Sequence, residues 1–227
     1  DLDEVVTLEL RPPFHSPGNL ESLGLYVHIP FCKKICTFCP YCKQIYNQQD
    51  MDLYIDALKK EIQKVGEMNK GTRKKTTSLY FGGGIPALAA DRIGEIISEL
   101  NRYFEITEGI GLELHPDNVT EETLLNLKEA GVTKISIGIQ SFNQKYLALL
   151  GRDNFDYSRM FEALKKIPFE TVSMDFIFAL PDQTVEDLKA DISKAFECGA
   201  NHVAIYPFID FSFAKNTVKP MSKNQKH

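Results

Sequence analysis

The chain has 227 residues and a formal net charge of −5, with 43% of its residues hydrophobic and 25% charged. This composition is ordinary for a globular protein with one domain of barrel size or two small ones. The acidic balance argues against nucleic acid as a partner, and no apolar run approaches the roughly eighteen residues of a membrane span. The start of the sequence lacks the features of a secretory signal, and crowded cysteines suit a reducing compartment, so we expect a cytoplasmic protein.

The chain begins with an extension at residues 1–24 that is rich in charge and proline and shows little periodicity. An alternating run at 25–29 predicts the first strand, which leads directly into a cysteine-rich loop. Apolar residues at helical spacing follow from 53 to 65, and strands and helices then alternate. Further strands are predicted at 78–81, 111–115, 134–140, 171–179 and 202–208, and further helices at 91–103, after 120, at 144–150, at 156–166 and at 185–198.

Alternation of this kind predicts parallel strands joined by right-handed crossovers. Six strand–helix units within 25–209 favour an incomplete (β/α)6 barrel, that is, a partial TIM barrel, over a doubly wound open sheet. In both architectures, functional residues lie at the carboxyl ends of the strands. Unusual residues do fall there: the cysteines after the first strand, 82–84 after the second, Glu113 on the third, Gln140 at the end of the fourth and Asp175 within the fifth.

Four of the five cysteines, at positions 32, 36, 39 and 42, lie within eleven residues. Zinc sites usually have two Cys-x2-Cys units well separated in sequence, or histidines at fixed spacing, and neither pattern occurs here. Iron–sulfur clusters accept closely spaced thiolates on one loop. Four ligands would make a saturated electron carrier, whereas ligation by Cys32, Cys36 and Cys39 alone would leave one iron open to a substrate or cofactor.

The x3-x2 spacing of the first three cysteines, with the aromatic Phe38 before the third, resembles the signature of the radical S-adenosylmethionine superfamily. Other stretches resemble its oxygen-independent coproporphyrinogen III oxidase-like branch over roughly residues 25–208, and they are specific as a set although each alone is weak. They are Tyr26-Val-His-Ile-Pro-Phe-Cys, Tyr80-Phe-Gly-Gly-Gly-Ile-Pro, Ser136-Ile-Gly-Ile-Gln-Ser-Phe, Leu150-Gly-Arg152 and Asp175-Phe-Ile-Phe-Ala-Leu-Pro-Asp-Gln-Thr184.

The resemblance implies that Cys32, Cys36 and Cys39 hold a [4Fe–4S] cluster and that S-adenosylmethionine binds at its free iron. Glycines permit a close backbone approach, carboxylates favour a nearby sulfonium, and an arginine favours a carboxylate. The residues expected to contact S-adenosylmethionine are Tyr26, Phe38, Gly83, Gly84, Ile85, Glu113, Gln140, Arg152 and Asp175, and Ile177 is expected to border a second cofactor or the substrate.

Three features depart from the family pattern. Ile85 stands where the family commonly has threonine, so one hydroxyl contact to the cofactor is missing or replaced. Cys42 follows Cys39 after two residues, whereas the porphyrinogen dehydrogenases usually have one. After Phe208 only nineteen residues remain, with a polar tail, so we expect 210–227 to begin a C-terminal region that continues beyond this sequence.

The resemblance implies an enzyme that generates a 5′-deoxyadenosyl radical for reaction on a porphyrin-like or heterocyclic small molecule. Two reactions are favoured about equally for this enzyme: oxidative decarboxylation of coproporphyrinogen III and radical methylation. A reductant such as flavodoxin or ferredoxin is implied as a partner. The alternatives are a haem chaperone that retains the cluster, a class C radical methyltransferase acting on another substrate, and a ferredoxin-like electron carrier.

Overall fold

The computed structural model describes residues 20–68, 71–153, 155–209 and 211. The strands in this part of the chain are β1 Leu23–Ile29, β2 Phe31–Cys32, β3 Gln44–Ile45, β4 Lys74–Gly83, β5 Phe104–Ile106, β6 Ile110–Leu114, β7 Val132–Gln140, β8 Thr171–Phe178 and β9 His202–Pro207. The helices are α1 Gln48–Glu67, α2 Ile93–Asn101, α3 Glu121–Glu129, α4 Gln144–Leu149, α5 Ser158–Lys166 and α6 Val185–Glu197. None of the described helices is both long enough and apolar enough to cross a membrane.

Seven strands form one parallel sheet in the order β1-β4-β6-β7-β8-β9, with β5 paired to the start of β4. This order follows the chain without reversal, so right-handed crossovers place all the connecting helices on one face. A doubly wound sheet would instead reverse at a switch point and carry helices on both faces. The prediction of an incomplete barrel is therefore confirmed, as a curled half-barrel of parallel strands.

Side chains of each strand alternate between the helix-covered outer face and the concave inner face. Those of the outer face are apolar and build the core with the helices. Leu79, Phe81, Leu112, Ile135, Ile137, Met174 and Phe176 are at most 1% exposed. The concave face instead carries Tyr80, Glu113, Ser136, Ser173 and Asp175. Because the strands are parallel, their carboxyl ends meet along a single edge, and the helices leave the concave side of that edge open.

Side-chain caps fix the starts of α3 and α6. Thr120 precedes α3, and its hydroxyl accepts a hydrogen bond from the backbone N–H of Thr123 at 3.1 Å, as the capping pattern predicts. Thr184 and Asp187 form a complete capping box at the start of α6. At the end of α3, Gly131 adopts a φ of 92°, a left-handed conformation that favours glycine.

Three short strands were not predicted. β5 lies just after the helix predicted at 91–103, which ends at Asn101, and it pairs only with residues Lys74–Thr76. β2 and β3 pair with each other and close the base of the cysteine loop. Strands of two or three residues are too short to show a period. The predicted extension and tail fall almost entirely outside the described residues, so the three-part domain division stays a prediction.

Candidate functional site

A cavity of about 390 Å³ opens at the carboxyl ends of β4, β6, β7, β8 and β9, beneath the cysteine loop. Its volume is typical of small-molecule sites. Of the thirteen residues predicted to bind the cluster or the cofactor, twelve line this cavity. They are Cys32, Cys36, Phe38, Cys39, Gly83, Gly84, Ile85, Glu113, Gln140, Arg152, Asp175 and Ile177.

Tyr26 lies outside this lining and is 59% exposed. Nε2 of His28 lies 3.1 Å from the carbonyl oxygen of Cys42, which can only accept, so Nε2 carries the proton. Nδ1 of His28 therefore accepts from the Tyr26 hydroxyl at 3.1 Å. The Tyr26 ring also stacks on Tyr80, with 6.5 Å between centroids. A place for Tyr26 beside S-adenosylmethionine stays a prediction.

The cysteine loop is tied to the strands at both of its ends. The backbone N–H of Gln44 donates to the carbonyl of Pro30 at 2.7 Å, and His28 holds the carbonyl of Cys42 as described above. Between these ties, the first three cysteines are partly buried and line the cavity. Cys42 is exposed and lies outside the lining. The loop therefore presents three thiols, not four, to the cavity.

The three thiols suit a cluster better than a single ion. Among the described residues, no group of three or more His, Cys, Asp or Glu side chains is arranged to hold one metal ion. A four-iron cluster makes a different demand, because each thiolate binds its own iron. Burial, followed by the neighbouring thiols of Cys39 and Cys36, raises the pKa of Cys32 to about 11, so the three groups lie close enough to interact.

The glycines at the end of β4, Gly83 and Gly84, are required by the chain's own packing. A Cβ on Gly84 would lie 2.5 Å from the carbonyl oxygen of Phe31, and one on Gly83 would lie 2.7 Å from the ring of His28. Gly83 also has a φ of 117°. The backbone N–H of Ile85 donates to the Phe31 carbonyl at 2.7 Å. The sequence assigned these glycines to an approaching cofactor, and the structure adds a second cause, since they let the chain leading into the cysteine loop lie against β4.

Glu113 reaches the cavity from β6. Its Oε2 accepts a hydrogen bond from the backbone N–H of Gly83 at 3.2 Å, and the hydroxyl of Tyr80 is a second partner. Burial raises the pKa of the Glu113 carboxyl, and these two hydrogen bonds oppose the shift. Glu113 therefore links β6 to the end of β4 at the point where the glycine run begins.

Asp175 of β8 is held by two serines. Ser136 of β7 donates its hydroxyl between the two carboxylate oxygens, at 2.9 and 2.8 Å, and Ser173 lies 3.2 Å from Oδ1. The Ser173 hydroxyl is also 3.0 Å from Nδ1 of His202. Burial raises the pKa of the Asp175 carboxyl, with the serine hydrogen bonds opposing the shift. A partly desolvated carboxylate on the cavity wall favours a cationic ligand.

Gln140 and Arg152 stand together over Gly138. A Cβ on Gly138 would lie 2.8 Å from Nε2 of Gln140 and 3.6 Å from Nη2 of Arg152. Gln140 adopts a φ of 71° at a register shift between β7 and β8. The guanidinium of Arg152 donates to the Gly138 carbonyl and lies 5.8 Å from the ring centre of Phe38. Its Nε is buried without a hydrogen-bond partner, so this wall of the cavity keeps an unused donor.

Among the lining residues that sequence reasoning did not single out are Ser136 and His115. Ser136 is four positions before Gln140 on β7, and His115 is two positions after Glu113, just past the end of β6. Side chains two positions apart on a strand point to the same face, so this period of two could have identified both residues. Burial, and then the nearby positive charge of Arg152, lowers the pKa of His115 to about 3. Its Nδ1 accepts from the backbone N–H of Asp117 at 3.4 Å, which places the proton of the neutral ring on Nε2.

A parallel half-barrel with a three-thiol loop at its carboxyl edge defines the core of a radical S-adenosylmethionine protein. The family model described as "Radical SAM superfamily" matches residues 26–195, and the chain belongs to this superfamily. Proteins of the superfamily use a [4Fe–4S] cluster and S-adenosylmethionine, and the donors present here fit both groups. The predicted family and cofactors are thereby confirmed.

Its relatives lie in the branch that the motifs resemble. The chain is 33% identical to the heme chaperone HemW of Bacillus subtilis over 190 residues, which are 81% of this chain and 50% of the relative. It is 31% identical to the oxygen-independent coproporphyrinogen III oxidase of Escherichia coli over 193 residues, covering 82% and 42% respectively. The solved structure of coproporphyrinogen III oxidase (HemN) from E. coli superposes with a TM-score of 0.79 at 28% identity, covering 91% of this chain and 50% of that one. The chain thus spans about half the length of the relatives it matches.

Proposed function

We propose that this chain binds a [4Fe–4S] cluster through Cys32, Cys36 and Cys39, binds S-adenosylmethionine in the adjoining cavity, and acts on a porphyrin-like small molecule. Held by these three thiolates and reduced, a cluster would supply one electron for the cleavage of S-adenosylmethionine into methionine and a 5′-deoxyadenosyl radical, and this radical would take a hydrogen atom from the substrate. The observation that carries the proposal is that three partly buried thiols open onto the same cavity as two partly buried carboxylates and Arg152, whose Nε lacks a hydrogen-bond partner.

The charged residues of the cavity match the charges of S-adenosylmethionine. Nε of Arg152 lacks a partner, and a carboxylate is the acceptor that an arginine binds most strongly. Asp175 and Glu113 place negative charge on the walls from β8 and β6, where a sulfonium or an amino group is favoured. Fixed hydrogen bonds to Ser136 and to the backbone of Gly83 hold the two carboxylates before any ligand arrives.

Apolar residues form part of the cavity wall. Ile85, Ile177 and Phe208 line it and are 7%, 7% and 2% exposed. A dry wall strengthens the electrostatic contacts inside a site and suppresses side reactions of a radical with solvent. Because these side chains come from the end of β4, from β8 and from the segment after β9, the fold itself supplies this shielding.

The substrate class is proposed from the relatives. The E. coli enzyme that is 31% identical is named as a coproporphyrinogen III oxidase, which favours oxidative decarboxylation of a porphyrinogen over radical methylation. The match covers 42% of that enzyme, so the proposal rests on the shared cofactor half. We further propose a flavodoxin or ferredoxin as the electron donor.

A haem chaperone is the second candidate, and it is favoured by the 33% identity to the B. subtilis heme chaperone HemW. A chaperone would keep the same cluster loop and cavity while binding haem without turnover. The two proposals share every cofactor residue, so the cavity described above does not discriminate between them. Analysis of the reaction products does discriminate between the two proposals.

The test is anaerobic reconstitution of the cluster, followed by incubation with S-adenosylmethionine and a strong reductant, with and without coproporphyrinogen III or haem. We expect 5′-deoxyadenosine to form slowly, and Cys36→Ala, as the control, to form none. Stoichiometric haem binding by cluster-loaded protein that forms no deoxyadenosine would reject the enzyme in favour of the chaperone.

A further inference from the structure

Asp191 of α6 is a buried carboxylate that the cavity does not use. It is 4% exposed and is absent from the cavity lining. Transferring a carboxylate out of water costs several kcal/mol unless hydrogen bonds replace its hydration, so its partners identify what it stabilises.

Those partners are successive residues of the turn after β7. Oδ2 of Asp191 accepts from the hydroxyl of Ser141 at 2.7 Å, and Oδ1 accepts from the backbone N–H of Phe142 at 2.8 Å. The Ser141 oxygen in turn accepts from the backbone N–H of Asn143 at 3.0 Å. Ser141 is itself fully buried. One carboxylate therefore fixes a three-residue turn through its side chain and its backbone together.

This turn connects two groups of the cavity. Gln140, immediately before it, holds a left-handed backbone conformation that is unusual for a residue other than glycine. Asn143 begins α4, which has only six residues, and the chain then returns to Arg152. Gln140 and Arg152 meet again over Gly138, as described above. A displacement of the turn would therefore move both side chains at the cofactor wall.

A second contact between α6 and α4 fixes the far side of the turn. The hydroxyl of Tyr146 donates to Oδ2 of Asp187 at 2.8 Å and lies 3.1 Å from the carbonyl of Asp182. Asp187 is already part of the capping box of α6. This contact holds the body of α4. On the turn itself, α6 provides the two hydrogen bonds of Asp191 and the ammonium of Lys194, which lies 4.7 Å from the ring centre of Phe142.

We propose that Asp191 is a positioning residue for S-adenosylmethionine binding, acting through the Ser141–Asn143 turn on Gln140 and Arg152. The inference rests on the proposed function, because the ligand is the cofactor assigned there. An asparagine at 191 can still accept from the Phe142 N–H and can donate to the Ser141 oxygen, whereas an alanine removes the acceptor of both the Phe142 N–H and the Ser141 hydroxyl. We therefore expect positioning to require the contacts of residue 191 to both Ser141 and Phe142, and not its negative charge.

The matched control is Asn201→Ala. Like Asp191, Asn201 makes two hydrogen bonds to a neighbouring segment, accepting from the Val172 N–H at 2.8 Å and donating to the Glu170 carbonyl at 2.9 Å. It does so at the amino end of β8, on the opposite edge of the sheet from the cavity.

With the cluster-loaded full chain, calorimetry should show Asp191→Ala weakening S-adenosylmethionine binding by about tenfold or more, since small displacements of positioning groups have effects up to about 100-fold. Asp191→Asn should bind within about threefold of the parent, and Asn201→Ala should bind like the parent.

Hydrogen exchange without S-adenosylmethionine tests the geometry separately. Asp191→Ala should speed amide exchange across 140–152, while Asp191→Asn and Asn201→Ala leave that segment unchanged. The inference would be overturned if Asp191→Ala kept the parent's exchange rates across 140–152 or the parent's affinity. It would also be overturned if Asn201→Ala, at a matched melting temperature, lost as much affinity as Asp191→Ala. If the parent binds no S-adenosylmethionine, the proposed function fails, and the exchange experiment alone decides the role of Asp191.

Discussion

The two faces of the main sheet are built from alternating residues of the same strands, yet they have opposite chemistry. On β4, Phe81 has no exposed surface and packs among the helices, while its neighbour Tyr80 directs its hydroxyl to Glu113 on the concave face. On β8, Met174 is fully buried and Asp175 lines the cavity. The outer face stabilises the fold, and the inner face holds groups that can bind a charged ligand. Neighbouring residues on one strand therefore serve different roles: one packs in the core, and the next faces the cavity side of the sheet.

The largest expected effect removes the chemistry and leaves the outer face intact. Cys32→Ala, Cys36→Ala or Cys39→Ala should each abolish the reconstituted cluster, because each removes one of the thiols that open onto the cavity. Cys42→Ala should retain it, since that thiol is exposed and lies outside the lining. Iron and sulfide content per chain measures the cluster, and circular dichroism confirms the fold. Equal loss in all four variants would contradict ligation by three cysteines.

The second prediction compares neighbours on opposite faces. Phe81→Ala should lower the free energy of unfolding by about 3–5 kcal/mol, the usual result of emptying a large buried aromatic site. Tyr80→Phe keeps the ring and removes one hydrogen bond to Glu113, so a loss of about 1 kcal/mol is expected. Urea titrations of both variants provide the measurement. Similar losses would mean that the concave face contributes to stability as the core does, and the distinction between the faces would fail.

The third prediction concerns the boundary between the two regions. Gly84→Ala would place a Cβ 2.5 Å from the Phe31 carbonyl, so the chain leading to Cys32 must move. We expect a lower cluster content and at least several-fold weaker S-adenosylmethionine binding. Ile85→Thr, at the next position, should change the affinity much less, since its backbone N–H bond to Phe31 is kept. Parent-like behaviour of the glycine variant in calorimetry and iron analysis would refute this account.

The smallest effect is a dependence on pH. Burial raises the folded-state pKa of Asp175, so the folded chain holds this proton more tightly than the unfolded chain does. The stability that this proton contributes is fully present below the unfolded pKa and is lost as the pH rises through the folded one. Asp175→Asn, which cannot ionise, should therefore have a higher melting temperature than the cluster-free parent at pH 8, with the difference shrinking towards pH 4. A difference that grows on acidification would show the opposite shift.

The outer face was largely predictable from sequence, because burial against helices leaves a period of two in strands and 3.6 in helices. The carboxyl-end rule likewise predicts from sequence that Glu113, Gln140 and Asp175 lie at one edge of the sheet, and all three line the cavity there. The reason for Gly84 was not predictable, since the Phe31 carbonyl that requires it is far away in the chain. The same holds for Asp191, which reads as one more polar residue on an amphipathic helix. Contacts between distant segments leave no local pattern.

Strand β9 has a further consequence, for how the chain behaves in solution. In the part of the chain that the structure describes, β9 has a strand neighbour on one side only, and Ile205 and Tyr206 on it are 46% and 57% exposed. An apolar strand with a free edge is a template for pairing with another chain, and so for aggregation. Pro207 at its end lacks an N–H and shortens the ladder that an incoming strand could form. Within the described residues, β9 is therefore an edge at which an added strand could pair, and Ile205→Lys is a substitution that would disfavour such pairing.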